Sequence, residues 1–544
     1  MKRCLIALVA ILASCSSGLH GPTQLRFKNA DPVMLVNDRT PVDPPKKFDT
    51  GLVEYYVNED LRGPTRRLLT VEDHRVAANA NSLGEVPDSA WFTNRTVTPD
   101  ELRKGPGGGG PDRSAPWRVV GVKAGGAAIG ITIKDAKDDR YVLKFDERGH
   151  PETESAADVI VQRLTWGLGY NVPDNQVVTF KRDQLVLDPK AEVKGRAGAG
   201  RPMTEADLEK YLGMGESQNG EFRALASKFI SGKIVGGVEP EGVRKGDAND
   251  RVPHELRRDL RGQRLLWAWV NHLDLKSQNT LSTYTDEKFV QWYALDFGES
   301  LGVGTRTTDV QRLGYRTTYS ISDTLLNFLS LGMRVAPYER EMSIPAMRGL
   351  GKFESKVFDP ATWVSSHNWR PTDIADRFDE LWAAERLMRL TRAHVEAAVA
   401  AGAYTDPRTS AYLVTTLLER QRKIGHYAFS RVAPLAQFEA REAGRALEVC
   451  FSDLWLLYAY GAPAATSYRA QVFDHGGARL GAASIPAQGT DARSCIAGLP
   501  HGEANDGYTI VELAVHRQHG SPPPLYVHIA RGPKGLRVIG LDRR

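Results

Sequence analysis

The chain has 544 residues, material for roughly two to four domains. Hydrophobic residues make up 41% and charged residues 25%, a globular rather than a disordered or fibrous composition. The 71 Lys and Arg against 66 Asp and Glu leave a formal charge of +5, too small to argue for nucleic acid or an anionic membrane as the main partner.

In chain order, Lys2 and Arg3 form a short positive region and Leu5 to Leu12 an apolar one, too short for a comfortable membrane span. This reads as an export signal ending in "LASC". That tetrapeptide resembles a bacterial lipobox, which implies that Cys15 is lipidated and becomes the mature N-terminus, with residues 1–15 as the signal peptide. Ser16 after the cysteine then leans toward the outer membrane or its periplasmic face. Residues 16–49 are polar and Pro-rich and are expected to be a tether. Residues 50–114 form an N-terminal extension that ends in the Gly-rich linker "RKGPGGGGPDRSAP".

Strands are predicted at "WRVVGV", "AIGITIKD" and "RYVLKFD", the last two as a hairpin. A helix follows over about Glu152 to Leu168, with Ala157, Ile160, Val161, Leu164 and Leu168 on one face. "QVVTF" and "QLVLD" are expected to pair as another hairpin around "KRD". "HELRRDLRGQRLLWAWV" reads as one long helix, and "NTLSTYT" with "FVQWYALD" as a hairpin. Helices are predicted in "IADRFDELWAAERLMRL" and "SAYLVTTLLERQRKIG". Beyond Pro434 four strand-like runs mark a compact β domain over 434–544. Cys4 lies in the leader and Cys15 would carry lipid. The remaining Cys450 and Cys495 are expected to form a disulfide, the alternative being two separate buried thiols.

Two polar motifs interrupt this pattern. "NHLDLKSQN", Asn271 to Asn279, follows the apolar run "RLLWAWV", and Asp296-Phe297-Gly298 ends a strand. Their order resembles the catalytic segment of the protein-kinase-like superfamily, in which a His-x-Asp-x-x-x-x-Asn loop precedes Asp-Phe-Gly. The resemblance implies phosphoryl transfer from ATP. Asp274 takes the place of the group accepting the attacking hydroxyl's proton. Asn279 and Asp296 match the ligands of Mg, and Lys276 would meet the transferred phosphoryl group. His272 is expected to support the loop.

Upstream, Lys144 lies mid-strand in "YVLKF", where an unpaired ammonium would be costly. The family grips the nucleotide phosphates with such a Lys and a Glu of the next helix. Glu154 lies about 60° from the centre of the apolar face, whereas Glu152 is more than about 120° away, so Glu154 is the expected partner. "KAGGAAIG" would cover the phosphates through Gly125, Gly126 and Gly130.

The expected fold class is therefore α+β: a bilobal protein-kinase-like fold, with a β-rich lobe over 115–235 and a helical lobe over 236–433, followed by a small all-β domain. Leu273 replaces the usual Arg, and no Ala-Pro-Glu follows the Asp-Phe-Gly. The helix "ESAADVIVQRLTWGLGYNVP" is closer to HipA-type and phosphoinositide-kinase-like branches. The implied protein is a lipid-anchored phosphotransferase acting on a protein or small-molecule hydroxyl. An inactive kinase-fold scaffold at the cell envelope is the alternative. "DANDRVPHELRRDLR" is a second polar concentration. Asp247, Asn249 and Asp250 suggest calcium only weakly. His254, Arg257, Arg258 and Arg261 read as an acidic-substrate patch or, more simply, a solvated helix face.

Overall fold

The structure is a computed structural model that describes residues 25–48, 51–68, 75–122, 129–194, 200–304, 321–335, 344–487, 492–518 and 520–544. Cys15, Gly125 and Gly126 lie outside the described residues. The chain divides into two compact units, one of Met34–Ala80 with Val86–Ala428, the other of Met1–Val33, Asn81–Glu85 and Phe429–Arg544.

The first unit begins with a coiled sheet. Its strands are β1 Trp117–Val122, β2 Gly130–Lys134, β3 Arg140–Phe145, β4 Asn175–Lys181, β5 Leu185–Lys194, β6 Gly200–Pro202, β7 Ser217–Gln218 and β8 Glu221–Lys228. The order is β4-β8-β3-β2-β1-β5-β6, with β7 on β8. The expected hairpin of "QVVTF" and "QLVLD" does not form: β4 pairs with β8, and β5 runs parallel to β1. Five strand positions separate β4 from β5, about 24 Å on a flat sheet. The link Arg182–Gln184 can bridge only about 15 Å. The sheet must therefore curl, which brings Phe180 of β4 within 5.7 Å of Trp117 on β1 across its interior. Ile131, Ile133, Leu143, Phe145 and Ala224 fill that core.

Helix α1, Glu154–Gly167, packs on β3, β4 and β8. A smaller antiparallel sheet follows, of β9 Lys233–Gly236, β10 Thr280–Tyr284 and β11 Val290–Ala294. The helical part comprises α2 Gln263–Val270, α3 Arg377–Met388 and α4 Pro407–Ser430. The long helix expected over 254–270 is interrupted. His254–Leu256 is a short 3-10 turn, Arg257 is extended, and helix resumes at Arg258–Arg261 and α2. Gly262 joins the last two segments, where a Cβ would lie 2.7 Å from the Trp382 ring of α3. The charged residues of this stretch are not a solvated face. Arg257 pairs with Asp259 at 2.8 Å, Arg258 and Arg261 reach Asp379 at 3.1 and 3.3 Å, and all are buried. Nor is there a substrate patch or calcium loop among them. His254 is enclosed between Asp250 and the Glu239 carbonyl, Asp250 also accepts from the Arg244 amide, and Asp247 accepts from the Asn249 amide.

The second unit is all antiparallel. A three-stranded sheet has the order β12 Leu435–Ala443, β13 Ala446–Asp453, β16 Arg493–Leu499. A five-stranded one runs β15 Arg479–Pro486, β14 Thr466–Asp474, β17 Thr509–Arg517, β18 Leu525–Gly532, β19 Gly535–Arg543. Val449 and Phe451 of one sheet share a core with Val472, Leu513 and Val527 of the other. Cys450 and Cys495 are cross-strand neighbours and are joined as a disulfide. Part of the expected tether is packed here: Phe27 lies against His528, and Gly540 leaves room for its ring. The α+β class holds, with the all-β region at the C-terminus. Among the described residues no helix is long and apolar enough to cross a membrane.

Candidate active site

The polar loop owes its position to the end of α2. The last carbonyls of a helix have no partner within it. Here buried Arg420 of α4 donates to the carbonyls of Ala268 and Trp269 at 2.5 and 2.8 Å, and also to that of Glu354. Asn271 then takes a left-handed conformation, φ 52°, which Asn tolerates better than most side chains. Its side-chain oxygen accepts from the Trp363 indole at 3.0 Å. His272 is buried against Trp267 and Phe297, and its Nδ1 meets the Ser300 hydroxyl at 2.9 Å. Burial outweighs the nearby carboxylates and brings its pKa down to about 4, so it is neutral at pH 7 and holds the loop.

Asp274 is the centre of the loop. Lys276 Nζ donates to both carboxylate oxygens at 2.6 and 2.5 Å. The turn Ser277–Asn279 brings Asn279 back, and its Nδ2 donates to the Asp274 carboxylate and main-chain oxygens, both at 2.8 Å. His367 Nε2 stands 3.3 Å from the other carboxylate oxygen. Burial alone would raise the pKa of Asp274, but His367 and Lys276 outweigh it and hold the group below the usual carboxylate range. An ionised carboxylate with these donors is a fixed hydrogen-bond acceptor.

Asp296 follows β11 with φ 62°, a strained backbone that Asp visits more readily than most residues. Phe297 is fully buried beside Trp267 and His272, which ties this turn to the loop. The Asp296 carboxylate accepts from Lys144 Nζ at 2.7 Å, across 152 residues of sequence. Lys144 lies opposite Gly130 in the β2–β3 ladder, and a Cβ on Gly130 would come within 2.3 Å of the Leu143 carbonyl. Close strand approach is therefore sufficient reason for this glycine.

Glu154 is the partner expected for Lys144. The carboxylate of α1 at ion-pair distance is instead Asp158, one turn further along, with Oδ2 at 3.6 Å. Glu154 acts on Lys144 electrostatically at longer range and packs beside Gly298. Asp158 also accepts from Asn175 Nδ2 at 2.6 Å. Its burial is opposed by Lys144 but still pushes its pKa up to about 6. For Lys144, burial is outweighed by Asp296 and Asp158, so the ammonium is held above its ordinary pKa. A single signal pointed to Asp158: an acid inside the apolar run "AADVIV", four residues after Glu154.

Two further residues had no local signal. His367 Nδ1 stands 3.4 Å from Asp60, so an imidazole links the loop's carboxylate to one from the N-terminal extension.

The divalent cation that the motifs imply can be tested on donor chemistry. Asn279 and Asp296 offer an amide and a carboxylate oxygen, hard donors that suit Mg. The Asp296 side chain is 43% exposed, open to an ion with its waters. These residues fit. Among the described residues, one group of three potential ligands clusters tightly, Glu448 with Cys450 and Cys495, and its sulfurs are spent in the disulfide.

No protein-family model and no curated protein matches the chain. Among solved structures it is similar to the Helicobacter pylori proinflammatory kinase CtkA, with a TM-score of 0.31 and 11% identity, covering 57% of this chain and 94% of that one. It is also similar to the Golgi casein kinase with Mn/ADP bound, with a TM-score of 0.27, 11% identity and coverage of 58% and 72%. At TM-scores this low the likeness is recorded as similarity alone.

Proposed function

We propose that the chain is an atypical kinase-like phosphotransferase that moves a phosphoryl group from ATP or a related donor, with Mg, to a protein or small-molecule hydroxyl. In the same proposal it is exported and anchored to the envelope membrane through lipid on Cys15. The observation that carries the enzymatic reading is the convergence of Lys144 and Asp296, 152 residues apart and 2.7 Å from each other, while Asp274, Lys276 and Asn279 converge in the adjoining loop.

Asp274 accepts the hydrogen bond of the acceptor hydroxyl. It takes the proton as the oxygen bonds to the γ-phosphorus and the bond to the bridging oxygen breaks, leaving its electron pair on the diphosphate. Lys276, now bound to both oxygens of Asp274, moves to the phosphoryl oxygens when a hydroxyl takes its place. Lys144 exchanges Asp296 for a phosphate oxygen and keeps Asp158. Asn279 and Asp296 would hold a divalent cation, which would neutralise charge on the phosphates. Gly125, Gly126 and Gly130 would bring main-chain amides to the same phosphates.

A second reading, a kinase-fold scaffold without turnover, draws on the fact that Asp274 and Asp296 are already satisfied by Lys276 and Lys144. One experiment separates the two. The mature protein is incubated with labelled ATP and Mg, with thermal stability followed in parallel. Phosphoryl transfer that Asp274→Asn abolishes supports the enzyme. Nucleotide at a hundred times its Kd should stabilise by about 2.7 kcal/mol. Stabilisation without transfer supports a nucleotide-binding scaffold, and the absence of both effects with every nucleotide refutes the enzyme reading.

A further inference from the structure

The N-terminal extension, which lies outside the stretch that carries the kinase-like motifs, reaches the candidate base. Tyr56–Arg62 is a π-helical turn between Leu52–Tyr55 and Gly63–Leu68. Within it Asp60 is buried and accepts from the Asn368 main-chain amide at 2.8 Å and from Asn368 Nδ2 at 3.0 Å. The hydroxyl of buried Tyr55 donates to the Asn368 carbonyl at 3.0 Å, and the Tyr56 ring lies 5.3 Å from the His367 imidazole. Residues 55–60 thus hold His367 and Asn368 on one side. On the other, His367 faces Asp274, with its two nitrogens 3.4 and 3.3 Å from the two carboxylates.

We propose that Asp60 and His367 are positioning residues for Asp274, so that the N-terminal extension is a working part of the catalytic unit rather than an appendage. The inference rests on the phosphotransfer reading above. A neutral imidazole has one N–H and can serve one carboxylate, whereas the imidazolium donates to both and fixes the orientation of Asp274. The groups around His367 are Asp60 and Tyr56 from the extension, and Asp274 with its partner Lys276 from the loop. Burial lowers the His367 pKa, but the nearby carboxylates of Asp274 and Asp60 outweigh it and raise it above its ordinary value. The imidazole therefore keeps its second proton to higher pH than an ordinary histidine would.

The test is a set of pH–rate profiles of phosphoryl transfer at saturating ATP and Mg, on the full chain, for wild type, Asp60→Asn and His367→Gln. Asp60→Asn preserves shape and removes one carboxylate from the imidazolium. It should lower kcat by about ten- to a hundredfold, leave the KM for nucleotide within about twofold, and move the alkaline limb to lower pH. His367→Gln should show the same fall in kcat and lack that limb. A purely structural role would leave the limb where it is. Wild-type turnover with Asp60→Asn within twofold of it, or with an unmoved limb, overturns this inference and leaves the phosphotransfer reading intact. No turnover in the wild type refutes both. Should His367→Gln fail to fold, the near-isosteric Asp60→Asn decides alone.

Discussion

Lys144→Met should destabilise the first unit in a pH-dependent way, because it strands Asp158. The Asp158 side chain is 1% exposed and has Lys144 as its ion-pair partner. In the wild type its pKa is raised to about 6 from 3.8. A raised carboxyl contributes stability fully below pH 3.8 and loses it as pH rises through about 6. By linkage the wild type at pH 7 is already about 3 kcal/mol worse off than if the group titrated normally. Without Lys144 the carboxyl stays protonated, and the penalty is capped by the cost of neutralising it, about 4 kcal/mol at pH 7. The stranded carboxyl therefore adds about 1 kcal/mol at pH 7 and close to nothing at pH 5, where both proteins hold it neutral. Loss of the ammonium's own interactions adds a part that does not vary over this range. For a unit of roughly 390 residues, 1 kcal/mol shifts Tm by about 1.2 °C. Calorimetry should thus show the gap between wild type and Lys144→Met narrowing by about 1–2 °C from pH 7 to pH 5. Asp158→Asn in the Lys144→Met background should abolish that narrowing. A gap that does not change with pH, or one that narrows equally in the double variant, would refute the reasoning.

Asp296→Asn should cost under about 1 kcal/mol, because the carboxylate it removes is 43% exposed and Lys144 keeps Asp158. On the phosphotransfer proposal, nucleotide-dependent stabilisation, followed by thermal shift with Mg, should be lost in the same variant. Arg420→Met removes donors to the carbonyls of Ala268, Trp269 and Glu354 and should cost about 3 kcal/mol or more. Hydrogen exchange should locate the loosening at the end of α2 and in the loop after it. Gly262→Ala keeps an allowed backbone but drives a methyl group into the Trp382 ring, for an expected loss of about 1–3 kcal/mol by calorimetry.

What was legible in the sequence was local. The Asp274-to-Asn279 spacing closes on itself through one turn, so residue types and order were enough to find it. The alternating runs of the second unit read directly as strands because one face is core and the other is not. The failures arose where distant partners decide. Two strands joined by three residues read as a hairpin, since neighbours in sequence usually pair, but curling of the sheet gave each a different neighbour. The run of Arg residues before α2 read as a solvated face because its counter-charge, Asp379, lies 118 residues beyond Arg261. A helical wheel ranks residues by angle and is blind to position along the axis. Glu154 and Asp158, one turn apart, look nearly equivalent on it, and only the height at which β3 crosses α1 selects Asp158.

The two carboxylates on Lys144 differ in a way that bears on function. Asp158 is enclosed and anchored by Asn175, whereas Asp296 is on the open side and held by a strained turn. Separating Asp158 from the ammonium would force an enclosed carboxyl to neutralise, while separating Asp296 from it exposes that carboxylate to water and the ammonium to a phosphate. The exchangeable partner is therefore the one that also offers a hard oxygen to a cation. A ligand that brings both a phosphate and a divalent ion can satisfy Lys144 and Asp296 together, which neither component can do alone. On the proposed phosphotransfer reading, nucleotide and metal should accordingly reinforce each other's binding, since each relieves the charge that the other exposes.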